Sequence, residues 1–386
     1  MEKVILVRYG EISLKGLNRS FFMNKLYKNM KAALAKYSDV KIERIQGRYL
    51  IICNEYEINQ IIESLSKVFG IISISTAYRI DNDLDVIKNT ALQLINNNRE
   101  KIKSFKVESK RGNKDFPIQS PEISREVGAY ILKNTENLKV DVHNPDTKIY
   151  IEIRKETYIY NEIIYGLGGL PVGSSGKVAL LISGGIDSPV AGYMISKRGL
   201  ELIAIHFHSF PFTSDRSKEK VIELTRIITQ YAGPIKLFIV PFTKIQTEIG
   251  EKCNERQTTL IMRRFMMKIA EKIAQNEKAQ ALVTGESIGQ VASQTLEGLV
   301  VTNAAVDMPV FRPLIGMDKQ EIMNIAQDIK TYETSILPYE DCCTLFVPKH
   351  PETRPKIEKI LRSENLLDSN SLIEDAIKST EIISLP

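Results

Sequence analysis

The sequence predicts an α/β protein, with a doubly wound parallel sheet in the C-terminal half preceded by two α+β units. Three observations carry this prediction. After residue 176, short apolar runs alternate with amphipathic helical patterns, which is typical of parallel sheets with helices on both faces. Before residue 166, the apolar runs group into strand pairs and helices instead. Between the two regions lies GLGGLPVGSSG, residues 166–176, whose glycines and serines indicate a linker.

The N-terminal half divides into two α+β units. In the first, we predict a strand at 4–8, a helix at 18–36, a strand pair at 40–45 and 48–53, and a helix at 58–68. In the second, we predict strands at 72–78, 103–108, 148–154 and 157–164 and helices at 84–95 and 120–132. The predicted domains are 1–58, 59–165, a linker at 166–176, and 177–386.

The C-terminal half begins with VALLI, residues 178–182, a continuous apolar run that indicates a buried parallel strand. The remaining pattern predicts strands at 201–207, 235–240 and 281–284 and helices at 216–231 and 256–275. The carboxyl ends of parallel strands meet at one edge of a sheet, and ligands bind there in doubly wound folds. We therefore expect the functional site at that edge.

The segment SGGIDS, residues 183–188, directly follows the first of these strands. Gly184 and Gly185 permit a tight turn and the close approach of a ligand to backbone N–H groups. We predict that Ser188 is the N-cap of the next helix. The N–H groups and the positive end of the helix dipole then form an anion site, which favours phosphate. Asp187 indicates a nearby Mg²⁺ or a positioning role, because a bare carboxylate would repel phosphate.

The net charge of +5 is concentrated in the N-terminal half. Residues 1–170 contain 27 Lys and Arg against 21 Asp and Glu, so the rest of the chain is close to neutral. This asymmetry indicates a nucleic-acid substrate, although a solvated surface rich in lysine explains it equally well. The sequence shows no membrane-spanning run and no signal-peptide layout, and its four cysteines lack a disulfide framework. We therefore expect a cytoplasmic protein that does not bind membranes.

Several segments together resemble the ThiI family of tRNA 4-thiouridine synthetases: VRYGEISLKGLNRSFF at 7–22, SGGIDSPVA at 183–191, TGESIGQVASQTL at 284–296 and RPLIGMDKQEI at 312–322. Two more resemble the family's THUMP domain, an RNA-binding module: ESKRGNKDFPIQSPEISREVGAYI at 108–131 and VDVHNPDTKIYIEI at 140–153. The resemblance covers nearly the whole chain, in the family's order. It implies ferredoxin-like and THUMP domains followed by a catalytic domain of the ATP-pyrophosphatase type.

The resemblance implies that ATP, with Mg²⁺, adenylates O4 of uridine 8 in tRNA, and that a persulfide sulfur then replaces the AMP. Asp187 is the candidate Mg²⁺ ligand and is given a catalytic role. The implied ATP-binding residues are Leu181, Ile182, Ser183, Gly184, Gly185, Asp187, Ser188, His206, Phe207, Arg263, Gly285 and Gln294. Arg263 is preferred over its neighbour Arg264. His206 and His208 point to the same side of a strand, but no third ligand is evident, so we predict no protein-held metal site.

Sulfur transfer needs a thiol, and the resemblance aligns the family's catalytic cysteine with Cys342, with Cys343 as the second choice. The preceding Glu340 and Asp341 would raise the pKa of a thiol, so a cation from elsewhere would have to compensate. About forty residues follow the cysteine pair, too few for the rhodanese domain that some family members carry. We therefore expect direct transfer from a cysteine desulfurase. The family's second activity, sulfur transfer to the carrier ThiS for thiamine thiazole, is in doubt for the same reason.

Recognition of tRNA is expected from a basic cluster in the THUMP-like segment, with Phe105 and Phe116 interleaved. Its members are Lys103, Lys106, Lys110, Arg111 and Lys114. Such a cluster suits phosphate contacts and readout of RNA shape, although a solvated charged strand is the simpler alternative. We also expect a homodimer, because RNA-binding and catalytic sites on one chain can be too far apart for one tRNA. Two other functions stay open: a different adenylating enzyme such as a 2-thiouridylase, or a non-catalytic RNA-binding protein.

Overall fold

The computed structural model describes residues 1–97, 100, 102–291, 294–339 and 352–386. The chain divides into two compact units, Met1–Gly169 and Leu170–Pro386. This division falls inside the predicted linker. Among the described residues, no helix combines the length and the apolar character needed to cross a membrane.

The first unit alternates strands and helices from the first residues of the chain. Its strands are β1 (Glu2–Tyr9), β2 (Lys41–Ile45), β3 (Arg48–Ile52), β4 (Ile71–Ile80), β5 (Ser104–Arg111), β6 (Lys139–Val140), β7 (Thr147–Ile153), β8 (Thr157–Tyr160) and β9 (Ile164–Tyr165). Its helices are α1 (Arg19–Ala33), α2 (Ile58–Ser66), α3 (Leu84–Asn96) and α4 (Ser120–Lys133). The predicted strand at 157–164 is two short strands, but the remaining elements lie close to the predicted ranges.

These strands form one nine-stranded sheet in the order β2-β3-β1-β4-β8-β7-β5-β6, with β9 paired to β4. Alternation along β1 assigns its side chains to two faces: Ile5 and Val7 pack with α1 and α2, whereas Val4 and Leu6 pack with Tyr158 on the other side. The predicted domain boundary at 58–59 falls inside α2, directly after its first residue. The buried side chains of α2 belong to the same hydrophobic cluster as β1. A second cluster joins α3 and α4 to β5 and β7.

The second unit confirms the predicted α/β class. Its strands are β10 (Lys177–Leu181), β11 (Glu201–His208), β12 (Ile235–Pro241), β13 (Leu282–Val283), β14 (Val310–Phe311) and β15 (Glu381–Leu385). Its helices are α5 (Asp187–Ser196), α6 (Asp215–Ala232), α7 (Thr243–Lys252), α8 (Thr258–Asn276), α9 (Leu296–Asn303), α10 (Lys319–Asp328), α11 (Tyr332–Ser335), α12 (Ile357–Glu364) and α13 (Ser369–Lys378).

The sheet of the second unit has the order β14-β13-β10-β11-β12-β15. Its first five strands are parallel, and β15 pairs with β12 in the antiparallel direction. Hydrophobic clusters cover both faces, one centred on α8 and the other on α5, α6 and α10. The carboxyl ends of β10, β11 and β13 therefore meet at one edge, where the sequence placed the functional site.

Candidate functional site

The loop between β10 and α5 is held in shape by its own serines. The backbone N–H of Ser183 donates to Oγ of Ser188 at 2.9 Å, and the N–H of Gly185 donates to Oγ of Ser183 at 3.3 Å. The prediction that Ser188 is an N-cap is wrong. Helix α5 begins one residue earlier, at Asp187, and the Ser188 hydroxyl turns back to close the loop instead of capping the helix.

A cavity of about 310 Å³ opens beside this loop. It brings together most of the predicted nucleotide-binding residues: Leu181, Ile182, Ser183, Asp187, Ser188, His206, Phe207, Arg263, Gly285 and Gln294. The predicted Gly184 and Gly185 lie within the loop itself but are not among the lining residues. The role of all twelve residues in binding stays a prediction. The strand order explains why they meet at one edge of the sheet.

Gly285 lies where the end of β13 passes the start of α5. A Cβ atom at this position would lie 2.7 Å from the backbone nitrogen of Ser188 and 2.8 Å from the carbonyl carbon of Asp187. Both atoms belong to the backbone, so no side-chain rotation could make room. The absence of a side chain is what lets this strand end close against the loop.

The two neighbouring arginines of α8 have different surroundings. Arg263 lines the cavity and pairs with the carboxylate of Glu286. Arg264 is 2% exposed, and its Nε donates to Glu364 at 2.6 Å while its Nη1 donates to the carbonyl of Val301 at 2.7 Å. Only Arg263 is therefore placed to meet a ligand in the cavity, as preferred from the sequence.

Asp187 is held by two donors that the sequence reasoning did not name. The ammonium of Lys319 lies 2.8 Å from its Oδ1, and the side-chain amide of Gln290 donates to its Oδ2 at 3.1 Å. Lys319 stands at the first position of α10, within the segment RPLIGMDKQEI. Its ammonium adds a positive charge next to the loop, and that charge suits a phosphate ligand.

His206 is buried, and its ring Nδ1 lies 3.1 Å from the carbonyl oxygen of Ile182. This contact links the carboxyl ends of β10 and β11. The rings of His206 and His208 are 6.3 Å apart between centroids. Within the described part of the chain, no three His, Cys, Asp or Glu side chains form a group that could hold a metal ion. His206 therefore belongs to the wall of the cavity.

Residues 173–368 match the family described as Thiamine biosynthesis protein (ThiI), residues 4–75 match the ThiI ferredoxin-like domain, and residues 81–162 match the THUMP domain. This chain belongs to the ThiI family. A protein of Acetivibrio thermocellus named "Probable tRNA sulfurtransferase" is 57% identical over an alignment covering 100% of this chain and 99% of the relative. One of the same name from Alkaliphilus metalliredigens is 56% identical, covering 99% and 98%.

A solved structure, that of a 4-thiouridine synthetase–RNA complex with bound ATP, is similar over its whole length. It covers 100% of both chains with a TM-score of 0.94 and 40% sequence identity. The predicted order of a ferredoxin-like domain, a THUMP domain and a catalytic parallel-sheet domain is thereby confirmed for this ThiI-family chain.

Several residues that line the cavity of this ThiI-family chain were not singled out from the sequence. They are Thr259, Met262, Met266, Met267, Thr284, Glu286, Val291 and Thr302. Met262 and Met266 lie four residues apart on one face of α8, and together with Met267 they give the cavity an apolar wall. Glu286 could have been found from the strand order, because it follows β13 just as Arg312 follows the neighbouring strand β14.

The predicted catalytic cysteines, Cys342 and Cys343, lie outside the described residues. On one side, the Lys220 ammonium lies 2.9 Å from the carbonyl oxygen of Leu337. On the other, the backbone N–H of Glu352 donates to the carbonyl of Arg256 at 3.0 Å. Arg256 lies just before α8, and α8 lines the cavity.

The other two cysteines, Cys53 and Cys253, are free thiols in partly buried positions. Burial raises the pKa of both, so each is mainly protonated near neutral pH. Neither has the character of a reactive thiolate. Neither Cys53 nor Cys253 is therefore a better candidate for carrying sulfur than Cys342 or Cys343.

The predicted tRNA-binding residues are only partly available on the THUMP surface. Lys103, Lys110 and Lys114 are exposed. Lys106 pairs with Glu108 at 2.9 Å, and Nη1 of Arg111 donates to the carbonyl of Phe116 at 2.8 Å. The idea of interleaved aromatic side chains is wrong, because Phe105 and Phe116 are 0% and 6% exposed and belong to the core.

Proposed function

We propose that this chain is an ATP-dependent tRNA sulfurtransferase that converts uridine 8 of tRNA to 4-thiouridine. Two findings support this function: the chain belongs to the ThiI family, and it is similar over its whole length to a solved 4-thiouridine synthetase. The observation that carries it in this chain is the cavity at the loop of residues 183–188. It joins an apolar wall for a nucleobase to a loop and helix N-terminus suited to phosphate.

The first step is the adenylation of uridine. The carbonyl oxygen O4 is a poor leaving group and must first be activated. O4 attacks the α-phosphorus of ATP, the bond to pyrophosphate breaks, and uridine loses its N3 proton to solvent. Negative charge then accumulates on the departing phosphates, where fixed N–H groups and cations stabilise it. We assign this role to Arg263, Lys319 and the N–H groups around Ser188, because they lie at or beside the cavity.

Magnesium is expected with ATP, and the residues present fit a particular mode of binding. Asp187 is a single carboxylate on the cavity wall, and both of its oxygens already accept hydrogen bonds. An ion at this position would therefore be held mainly by phosphate oxygens and water, as Mg²⁺ commonly is in nucleotide sites. It would supply positive charge for the leaving pyrophosphate.

The second step replaces oxygen by sulfur. The terminal sulfur of a persulfide on Cys342 or Cys343 attacks C4, the C4–O4 bond breaks, and AMP leaves with the oxygen. A second thiol then attacks the cysteine sulfur, the S–S bond to the nucleoside breaks, and 4-thiouridine is released. The two thiols are left as a disulfide, since they supply the two electrons of this step. A cysteine desulfurase is the proposed source of the sulfur. Transfer to the carrier ThiS is a further candidate activity of the same thiol.

The tRNA is proposed to bind through the ferredoxin-like and THUMP domains, with the exposed Lys103, Lys110 and Lys114 contacting phosphate. A homodimer that presents one tRNA to both domains is part of the same proposal. Lys106 and Arg111 contribute less in this scheme, because intramolecular acceptors already occupy them.

The test is a thiolation assay with purified protein, unmodified tRNA, Mg-ATP, cysteine and a cysteine desulfurase. The account predicts 4-thiouridine and AMP together, and neither product with a tRNA that carries cytidine at position 8. Thiolation at the 2-position of another uridine would identify a 2-thiouridylase. Binding of tRNA without AMP or thiolated nucleoside would identify a non-catalytic RNA-binding protein.

A further inference from the structure

A buried carboxylate lies in the wall of the cavity, between two arginines. Glu286 is 5% exposed, and its carboxylate pairs with the Arg263 guanidinium. It also accepts a hydrogen bond from Nε of Arg312 at 2.7 Å and one from Oγ1 of Thr284 at 2.8 Å. Of the two arginines, Arg263 lines the cavity together with Glu286.

The charges of this cluster are unequal. Two guanidinium groups share one carboxylate, so the cluster carries a net positive charge, and Arg263 is its cation at the cavity wall. A buried carboxylate without partners would be strongly destabilised, and it is retained here because its oxygens accept charged hydrogen bonds. Burial also lowers the pKa of Arg312. The surplus charge favours an anionic ligand.

We propose that Glu286 is a positioning residue, which fixes the guanidinium of Arg263 so that it faces the phosphates of bound ATP. Thr284 and Arg312 hold the carboxylate from its other side, so its oxygens have one orientation. Arg263 is then ordered before the ligand arrives, and binding need not order it. This inference rests on the proposed nucleotide site.

The same helix provides a matched control. Arg264, the next residue, pairs with the buried carboxylate of Glu364, which also pairs with Lys268. The two clusters thus have the same composition, one carboxylate and two cations, and their carboxylate side chains are 7% and 6% exposed. The cluster of Glu364 does not line the cavity. Loss of a buried ion pair should therefore lower the stability of the protein at either cluster. Only a change at Glu286 should also alter ligand affinity.

The experiment compares Glu286→Gln with Glu364→Gln in the full chain. Both variants are expected to melt below the wild type. Only Glu286→Gln should weaken binding of ATP, by about tenfold, because the Arg263 guanidinium is then no longer held facing the phosphates. Its affinity for adenosine, which has no phosphate, should not change. Equal ATP affinities of the two variants would overturn the proposal, and so would an equal loss for adenosine and ATP.

A double variant separates positioning from direct contact. If Glu286 acts through Arg263, then Arg263→Ala with Glu286→Gln should bind ATP as weakly as Arg263→Ala alone. Additive losses would contradict the proposal. If Glu286→Gln does not fold, Thr284→Val removes a single hydrogen bond to the carboxylate and should weaken ATP binding about twofold to threefold. A wild type that binds no ATP would instead contradict the proposed function.

Discussion

Gly285→Ala tests whether the end of β13 must lie close against the loop of residues 183–188. The added Cβ would lie 2.7–2.9 Å from three backbone atoms of Asp187 and Ser188. Real Cβ atoms do not approach backbone atoms this closely, so β13 and α5 must move apart. Overpacking of this kind costs about 2 kcal/mol. For a unit of this size, that is a melting temperature lower by roughly 4–8 °C.

The matched control is Gly250→Ala, at an exposed position near the C-terminal end of α7 with no atom within 4 Å of its Cβ. There the substitution should stabilise the protein by about 0.5–1 kcal/mol, because alanine loses less backbone entropy in a helix. Calorimetry gives the melting temperatures, and titration gives the ATP affinity. ATP should bind more weakly to Gly285→Ala and normally to Gly250→Ala. If Gly285→Ala melted within 1 °C of the wild type and bound ATP equally, the reasoning would be wrong.

The remaining predictions concern the other parts of the chain. Arg48 and Tyr160 lower the pKa of the buried Glu152 from 4.5 to about 2, against the effect of burial. The wild type should therefore exceed Glu152→Gln in stability by about 3 kcal/mol at neutral pH, and denaturant titrations should show this excess disappearing as the pH falls from 5 to 2. Replacing both Lys110 and Lys114 by serine should weaken tRNA binding and reduce the salt slope by about 2, whereas an unchanged slope would argue against phosphate contacts. Cys342→Ser should abolish 4-thiouridine while pyrophosphate is still released, because AMP leaves only when sulfur attacks C4. Full thiolation by this variant would rule out Cys342 as the sulfur carrier.

The loop of residues 183–188 was predictable because local sequence patterns determine its structure. A continuous apolar run, two glycines and a helix-forming segment specify a strand, a turn and a helix wherever the domain lies. The N-cap assignment failed because a serine near a helix start can cap the helix or close the preceding loop. In the structure, the N–H of Ser183 donates to the Ser188 hydroxyl, and the sequence pattern does not reveal this contact.

The cluster around Glu286 could not be predicted from local patterns. Arg263, Glu286 and Arg312 are separated in the chain, and they meet because α8 begins at the edge where β13 and β14 end. The predicted role of Phe105 is wrong for a different reason, because neighbours in the sequence of a strand lie on opposite faces of the sheet. Phe105 and Val107 alternate with Lys106, which places the aromatic ring in the core.

The most direct test follows the oxygen atom of uridine. The tRNA would carry ¹⁸O at O4 of uridine 8, and the AMP formed during thiolation would be weighed by mass spectrometry. Adenylation of O4 requires that this oxygen leaves with AMP, so the account predicts AMP heavier by two mass units in amounts equal to the 4-thiouridine. Unlabelled AMP alongside 4-thiouridine would show that O4 is never adenylated, and would contradict the central claim.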